Sequence, residues 1–149
     1  MNRTAIEASV TTSAIDPAYR LSVEAPGRSP VTLSIDDLRA LPQRQATLPI
    51  ACVEGWSASR TWTGVSVGAV LEHAGLGDAR EVEVISLEPT ALYSQSVLNH
   101  DQLADADTLL ALEVDGEPLA LDHGYPVRLI GPNRPGVQQT KWVHRMVVR

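Results

Sequence analysis

Apolar and polar residues alternate along most of this chain, and helical spacing appears only in short stretches. Arg20 to Ala25 alternates as a strand does, and Pro26-Gly27 reads as a turn. Val31 to Leu33 is short and β-branched. Ser34 then suits an N-cap, with Asp36 and Asp37 in the first turn of a short helix that Pro42 stops. Ala46 to Val53 is mostly apolar and carries a cysteine at its end, which places Cys52 where a strand gives out. Val67, Val70, Leu71 and Ala74 recur at helical spacing within Ser66 to Ala74, and Gly75 closes that helix. Glu81 to Leu87 alternates again, while Tyr93 to Ala106 is polar with room for a short helix near Asp101. Leu109 to Val114 and Glu117 to Leu121 flank Asp115-Gly116, a strong hairpin signal. Val127 to Ile130 and Lys141 to Arg149 supply the last strands, joined by the stiff Gly131-Pro132-Asn133-Arg134-Pro135-Gly136 loop. The pattern predicts one β-rich α+β domain over residues 17–149, preceded by a polar, patternless and disordered segment over 1–16.

Composition narrows the partners. The 149 residues carry a net charge of −6, whereas a duplex-binding domain normally offers a basic face. Nucleic acid is therefore excluded as the expected partner. The charge is uneven, however. From His123 to Arg149 there is no Asp or Glu, yet Arg128, Arg134, Lys141, Arg145 and Arg149 all fall there. Two readings stay open on charge alone: a local anion site, or a solvated strand edge. No stretch has the apolar length of a membrane span, and residues 1–15 lack the apolar core of a signal peptide. The expectation is a soluble chain, either cytoplasmic or an extracytoplasmic domain of a membrane-anchored protein.

Three segments carry candidate chemistry. In Ala51-Cys52-Val53-Glu54-Gly55-Trp56-Ser57 a strand presents a thiol just before the chain breaks into a loop. A thiolate held there can reach a metal or a substrate. His73, His100, His123 and His144 show no pairwise metal spacing, so zinc is not expected. One thiolate makes sense as a metal ligand when a cofactor supplies most of the others. A cysteine nucleophile is the rival reading, and it needs a base such as His73 or His123 nearby. In Asp122-His123-Gly124-Tyr125-Pro126-Val127-Arg128, Gly and Pro stiffen a turn around which His123 and Arg128 can face one anion. A surface loop with an ordinary salt bridge is the plain alternative. In the Gly/Pro loop and its sequel, Gln139, Thr140 and Lys141 add donors suited to a polar heterocycle or a phosphate.

Taken in order, CVEGWS, RTWTGV, DHGYPVRLI, the Gly/Pro loop and TKW resemble the molybdopterin-binding domain of sulfite oxidases and related bacterial oxidoreductases. LSIDDLRALP and EVDGEPLALDHGYPVRL are also typical of that family, and the likeness runs from about Arg20 to the C-terminus. The resemblance implies a mixed-sheet fold and a Mo-molybdopterin cofactor. It makes Cys52 the molybdenum ligand and the catalytic residue. His123 and Arg128 match positions that contact the pterin and its phosphate. Lys141 matches a further cofactor contact, and Gln139 and Thr140 contribute through the backbone. Tyr93, Tyr125, Trp56 and Arg60 are the candidates for the substrate side.

The implied activity is oxygen-atom transfer at a mononuclear molybdenum centre. Electrons pass to or from a separate haem or membrane partner, because the chain has no haem or iron–sulfur motif. The arginines that receive sulfite in the family find no identifiable match. The resemblance thus leaves sulfite-like substrates and S- or N-oxides equally open. The stretch before Arg20 also shows no counterpart of the upstream Asn, Tyr, His or Arg contacts that family members usually add. That supports an alternative: a non-catalytic or incomplete binding module that keeps the fold.

Overall fold

The computed structural model describes residues 19–51, 57–87, 95–132 and 140–149. The segment 1–16 lies outside the described residues. Two five-stranded sheets make the architecture. The first has the order β2 (Val31–Leu33), β1 (Leu21–Glu24), β10 (Val143–Val148), β5 (Val82–Ser86), β6 (Gln95–Leu98). Within it β1 and β10 run parallel and the other pairs antiparallel. The second has β3 (Arg44–Ala51), β4 (Ser57–Ser66), β7 (Leu109–Val114) and β8 (Glu117–Pro118) in that order, and β9 (Arg128–Ile130) also pairs with β7. Three short helices lie among the described residues: α1 (Ile35–Ala40), α2 (Val67–His73) and α3 (His100–Ala104). None of the described helices is long and apolar enough to cross a membrane.

Local chemistry explains each helix. Ser34 and Asp37 form a reciprocal capping box on α1, and Leu38 is the side chain it buries. The Ser66 hydroxyl accepts from the Ala69 N–H, and α2 turns Val67, Val70 and Leu71 inward. Asn99 and Gln102 repeat the capping box on α3, which buries Leu103. The first start sits on the Ser34 that the sequence marks, and the other two helices fall within the stretches read for them. The hairpin also falls as expected. Asp115 and Gly116 take φ of 51° and 84°, the left-handed pair of a tight turn between β7 and β8.

Other elements are not where alternation alone puts them. Ser57–Ser66 is a ten-residue strand that its scattered Ser and Thr disguise. Gln95–Leu98 is a strand within the stretch read as polar. The strand expected to reach Leu121 stops at Pro118, and Leu121–His123 forms a 3-10 turn instead. In β10 a bulge between Val143 and Arg145 resets the alternation, so Val143 and Met146 are buried and Val147 is not.

The second sheet is buried on both faces. Leu110, Leu112 and Leu129 join the main core with Leu21, Val23, Val65, Val82 and Val84. Leu109, Ala111 and Ile130 point the other way, into a smaller cluster with Ala46, Leu48, Trp62 and Leu119. This second face carries the candidate site.

Candidate functional site

β4 outruns its neighbour β7. Its pairing with β7 begins at Trp62, whereas its pairing with β3 continues to Ala51↔Ser57. The two strands thus extend past the sheet as an arm, and residues 52–56 join them. Cys52 follows directly on the last residue of β3. It lies outside the described residues, as do Trp56, Tyr93, Arg134 and Gln139. Arg60 sits on the arm, its guanidinium 3.0 Å from the Asp115 carboxylate at the hairpin tip. The Thr61 N–H donates to the same carboxylate, and both bonds keep Asp115 ionised below the usual carboxylate range.

Three of the anticipated residues converge. Arg128 is 2% exposed and Lys141 8%, although charged side chains are rarely buried so deeply. The Arg128 guanidinium lies over the Trp62 ring, its carbon 5.5 Å from the ring centroid. The Lys141 ammonium lies 5.6 Å from the centroid of Trp142. A cation over an indole face gains about 0.5–2 kcal/mol from the ring quadrupole, more as water is excluded.

The turn bearing His123 is held by the same cations. Four consecutive carbonyls accept bonds from the other two segments. Leu121 O takes the Trp142 indole N–H at 2.7 Å, and Asp122 O takes the Lys141 ammonium at 2.6 Å. His123 O takes an Arg128 N–H at 3.4 Å, and Gly124 O takes the Trp142 main-chain N–H at 3.4 Å. Trp142 accepts a φ of 53° to reach both carbonyls, a left-handed conformation that costs an L-residue about 1–2 kcal/mol. The turn at Leu121 to Gly124 is therefore clamped to β9 and to the start of the last strand.

Gly124 shows how closely the parts meet. Its φ is +111°, and a Cβ there would come within 3.0 Å of Arg128 Cβ and 3.2 Å of Lys141 Cβ. Gly124→Ala is expected to lower stability by roughly 2–4 kcal/mol, from backbone strain plus overpacking against both stems. Thermal unfolding of the purified variant checks this, and an unchanged midpoint would refute the contact.

His123 is at the surface, yet its pKa falls below the usual histidine value. Partial burial is the first cause, and the charges of Lys141, Arg128 and Arg60 follow. Arg60 is thus felt at His123 although it projects from the arm. A depressed histidine stabilises the fold above the unfolded value of 6.5, and that contribution is lost as pH falls through the folded pKa. His123→Gln is expected to flatten part of the decline in melting temperature below pH 6.5. His144, depressed chiefly by burial and then by Arg145, sustains the remainder. Melting curves from pH 8 to 5 (a range chosen about the ordinary histidine value) check this. Identical slopes in the variant and the wild type would count against it.

Thr140 is buried, and its hydroxyl shares a 2.5 Å hydrogen bond with that of Ser96. Its carbonyl accepts from Leu129 N–H at 2.8 Å. Tyr125 is half-buried between the Trp62 and Trp142 clusters.

The basic C-terminal stretch divides between its two readings. Arg145 makes a two-pronged pair with Glu24 at 2.8 and 2.9 Å on the first sheet, chiefly by which the Glu24 pKa falls to about 2. Arg149 pairs with Glu83 beside it. Arg128 and Lys141 belong to the other, buried group.

One residue of this site had been given no role. Trp62 is 2% exposed, and its indole nitrogen is the buried side-chain polar atom without a hydrogen-bond partner among the described residues. The buried cations, the unmet N–H and the glycine seat at 124 together fit an oxygen-rich anion such as a phosphate-bearing pterin.

Comparison with known proteins gives the family. The family model described as "Oxidoreductase molybdopterin binding domain" matches residues 8–149. Mitochondrial sulfite oxidase of Mus musculus is 32% identical over 162 residues, covering 90% of this chain and 30% of that protein. The uncharacterized oxidoreductase YuiH of Bacillus subtilis (strain 168) is 32% identical over 115 residues, covering 76% of this chain and 57% of that one. The chain thus spans about 30% of the length of the sulfite oxidases it matches. The solved sulfane dehydrogenase SoxCD from Paracoccus pantotrophus shares the fold, with a TM-score of 0.75 at 23% identity over 87% of this chain and 38% of that one. The chain belongs to the oxidoreductase molybdopterin-binding domain family, of the sulfite oxidase type.

Proposed function

We propose that this domain binds Mo-molybdopterin and carries out oxygen-atom transfer on a small substrate, with Cys52 as the protein's ligand to molybdenum. The observation that carries the reading is the pair of buried cations, Arg128 and Lys141, set around His123 on the second face of the sheet. Burying charge is costly, and these two groups stand at the positions where the family resemblance puts contacts to a phosphate-bearing pterin. When bound, the cofactor supplies a metal that changes oxidation state by two electrons as an oxygen atom passes to or from the substrate.

The chain's own residues bind and orient. Arg128 offers a planar fork to phosphate or pterin oxygens, and the Trp62 ring and His123 carbonyl limit its movement. Lys141 is placed as a point charge by the Asp122 carbonyl. Partial desolvation and the charges of Lys141, Arg128 and Arg60 lower the His123 pKa, which favours its use as a hydrogen-bonding group over a third cation. Gln139 and Thr140 contribute through the main chain. Arg60, Tyr125, Trp56 and Tyr93 serve the substrate side. Substrates are sulfite-like anions or S- and N-oxides, and a separate haem or membrane protein exchanges the electrons.

The test is turnover by protein made in a cofactor-synthesising host. Sulfite with an artificial acceptor, and S- and N-oxides with an artificial donor, are assayed side by side. Activity with one class names the direction. A cofactor-loaded protein inactive on every substrate would favour the binding-module reading.

A further inference from the structure

We infer that Trp62 is a cofactor-binding residue, its indole N–H donating to an oxygen of the same ligand that Arg128 receives. The inference rests on the cofactor reading above and adds to it a contact that had been given no role. Trp62 is wedged among Ala46, Leu48, Ala111 and Ile130, apolar neighbours that offer no acceptor from their side chains. A buried indole nitrogen nearly always finds a partner, because leaving it unmet costs as much as a hydrogen bond returns. Here the N–H is unmet among the described residues.

The strands explain why it stands beside Arg128. Gly64 is opposite Ala111 across β4 and β7, and Ala111 is opposite Arg128 across β7 and β9. Gly64 cannot carry a side chain, since a Cβ would fall 2.0 Å from the Leu110 carbonyl oxygen. The strands are therefore pressed together here, and the Trp62 ring and the Arg128 guanidinium lie against each other. An indole N–H donates and never accepts, so it calls for an acceptor atom, and it stands beside the guanidinium that the cofactor reading assigns to the pterin. An oxygen of the cofactor is that acceptor.

The experiment compares cofactor-loaded wild type with Trp62→Phe, which keeps an aromatic face for Arg128 and deletes the N–H. Release of pterin into dilute buffer is followed by its fluorescence after oxidation. Release about tenfold faster or more is expected, the scale of one hydrogen bond to a charged acceptor. A second measurement needs no variant at this position. In nitrogen-15 spectra of wild type with and without cofactor, the Trp62 indole resonance, identified by elimination with Trp56→Phe and Trp142→Phe, moves downfield on loading. Unchanged release together with an unmoved resonance would overturn the assignment of Trp62 while leaving the cofactor reading intact. A wild-type protein that takes up no pterin would take down both.

Discussion

Arg128→Met is expected to empty the protein of cofactor while leaving it folded. The guanidinium is 2% exposed and lies over Trp62, so its charge is held away from water at the floor of the site. Truncating one partner of a buried charge pair costs about 3–5 kcal/mol, or roughly two to four orders of magnitude in affinity. Met has a similar length and fills the space of the Arg128 stem, so the packing around it is expected to hold. The long Arg128 bond to the His123 carbonyl, at 3.4 Å, is a weak one to forgo. The expected result is a melting temperature of the cofactor-free protein close to wild type, with pterin content near zero. Arg128→Lys keeps the charge and loses the two-pronged fork, and falls between. Full pterin content in Arg128→Met would show that the buried guanidinium serves the fold alone.

Cys52→Ser is expected to abolish turnover and to spare the fold. A serine hydroxyl is a harder and far less acidic donor than a thiol, and it does not replace a thiolate on molybdenum. The strands on either side are independently secured, since β3 and β4 pair from Arg44↔Gly64 to Ala51↔Ser57. Pterin contacts through Arg128 and Lys141 do not depend on this sulfur, so the variant retains part of its pterin. Circular dichroism, pterin content and turnover measured together check the three claims. Turnover within tenfold of wild type would exclude the ligand role.

Much of the scaffold was legible from single residues. Ser34 marks a helix start because a hydroxyl at that place meets an orphan N–H, the apolar spacing from Val67 to Ala74 marks the next helix, and Asp115-Gly116 marks a hairpin because few other pairs accept two left-handed residues. The strand Ser57–Ser66 was not legible, because its first residues leave the sheet and pair only with β3, so neither face needs to be apolar. The bulge in β10 was equally hidden, since an extra residue changes which side chains face inward without changing composition. At the site, family likeness pointed to His123, Arg128 and Lys141. Trp62 escaped because an aromatic residue among threonines reads as core, and only the orphaned N–H beside a buried guanidinium says otherwise. The carbonyl clamp on residues 121–124 also needed coordinates, because it joins segments distant in the chain.

The measurement that bears most directly on the cofactor claim is molybdenum per chain by elemental mass spectrometry. The protein is made in a host that synthesises the cofactor, with Cys52→Ala purified alongside. About one metal per wild-type chain and much less in the variant is the predicted result. No metal in a folded wild-type protein, or equal metal in both, would contradict it.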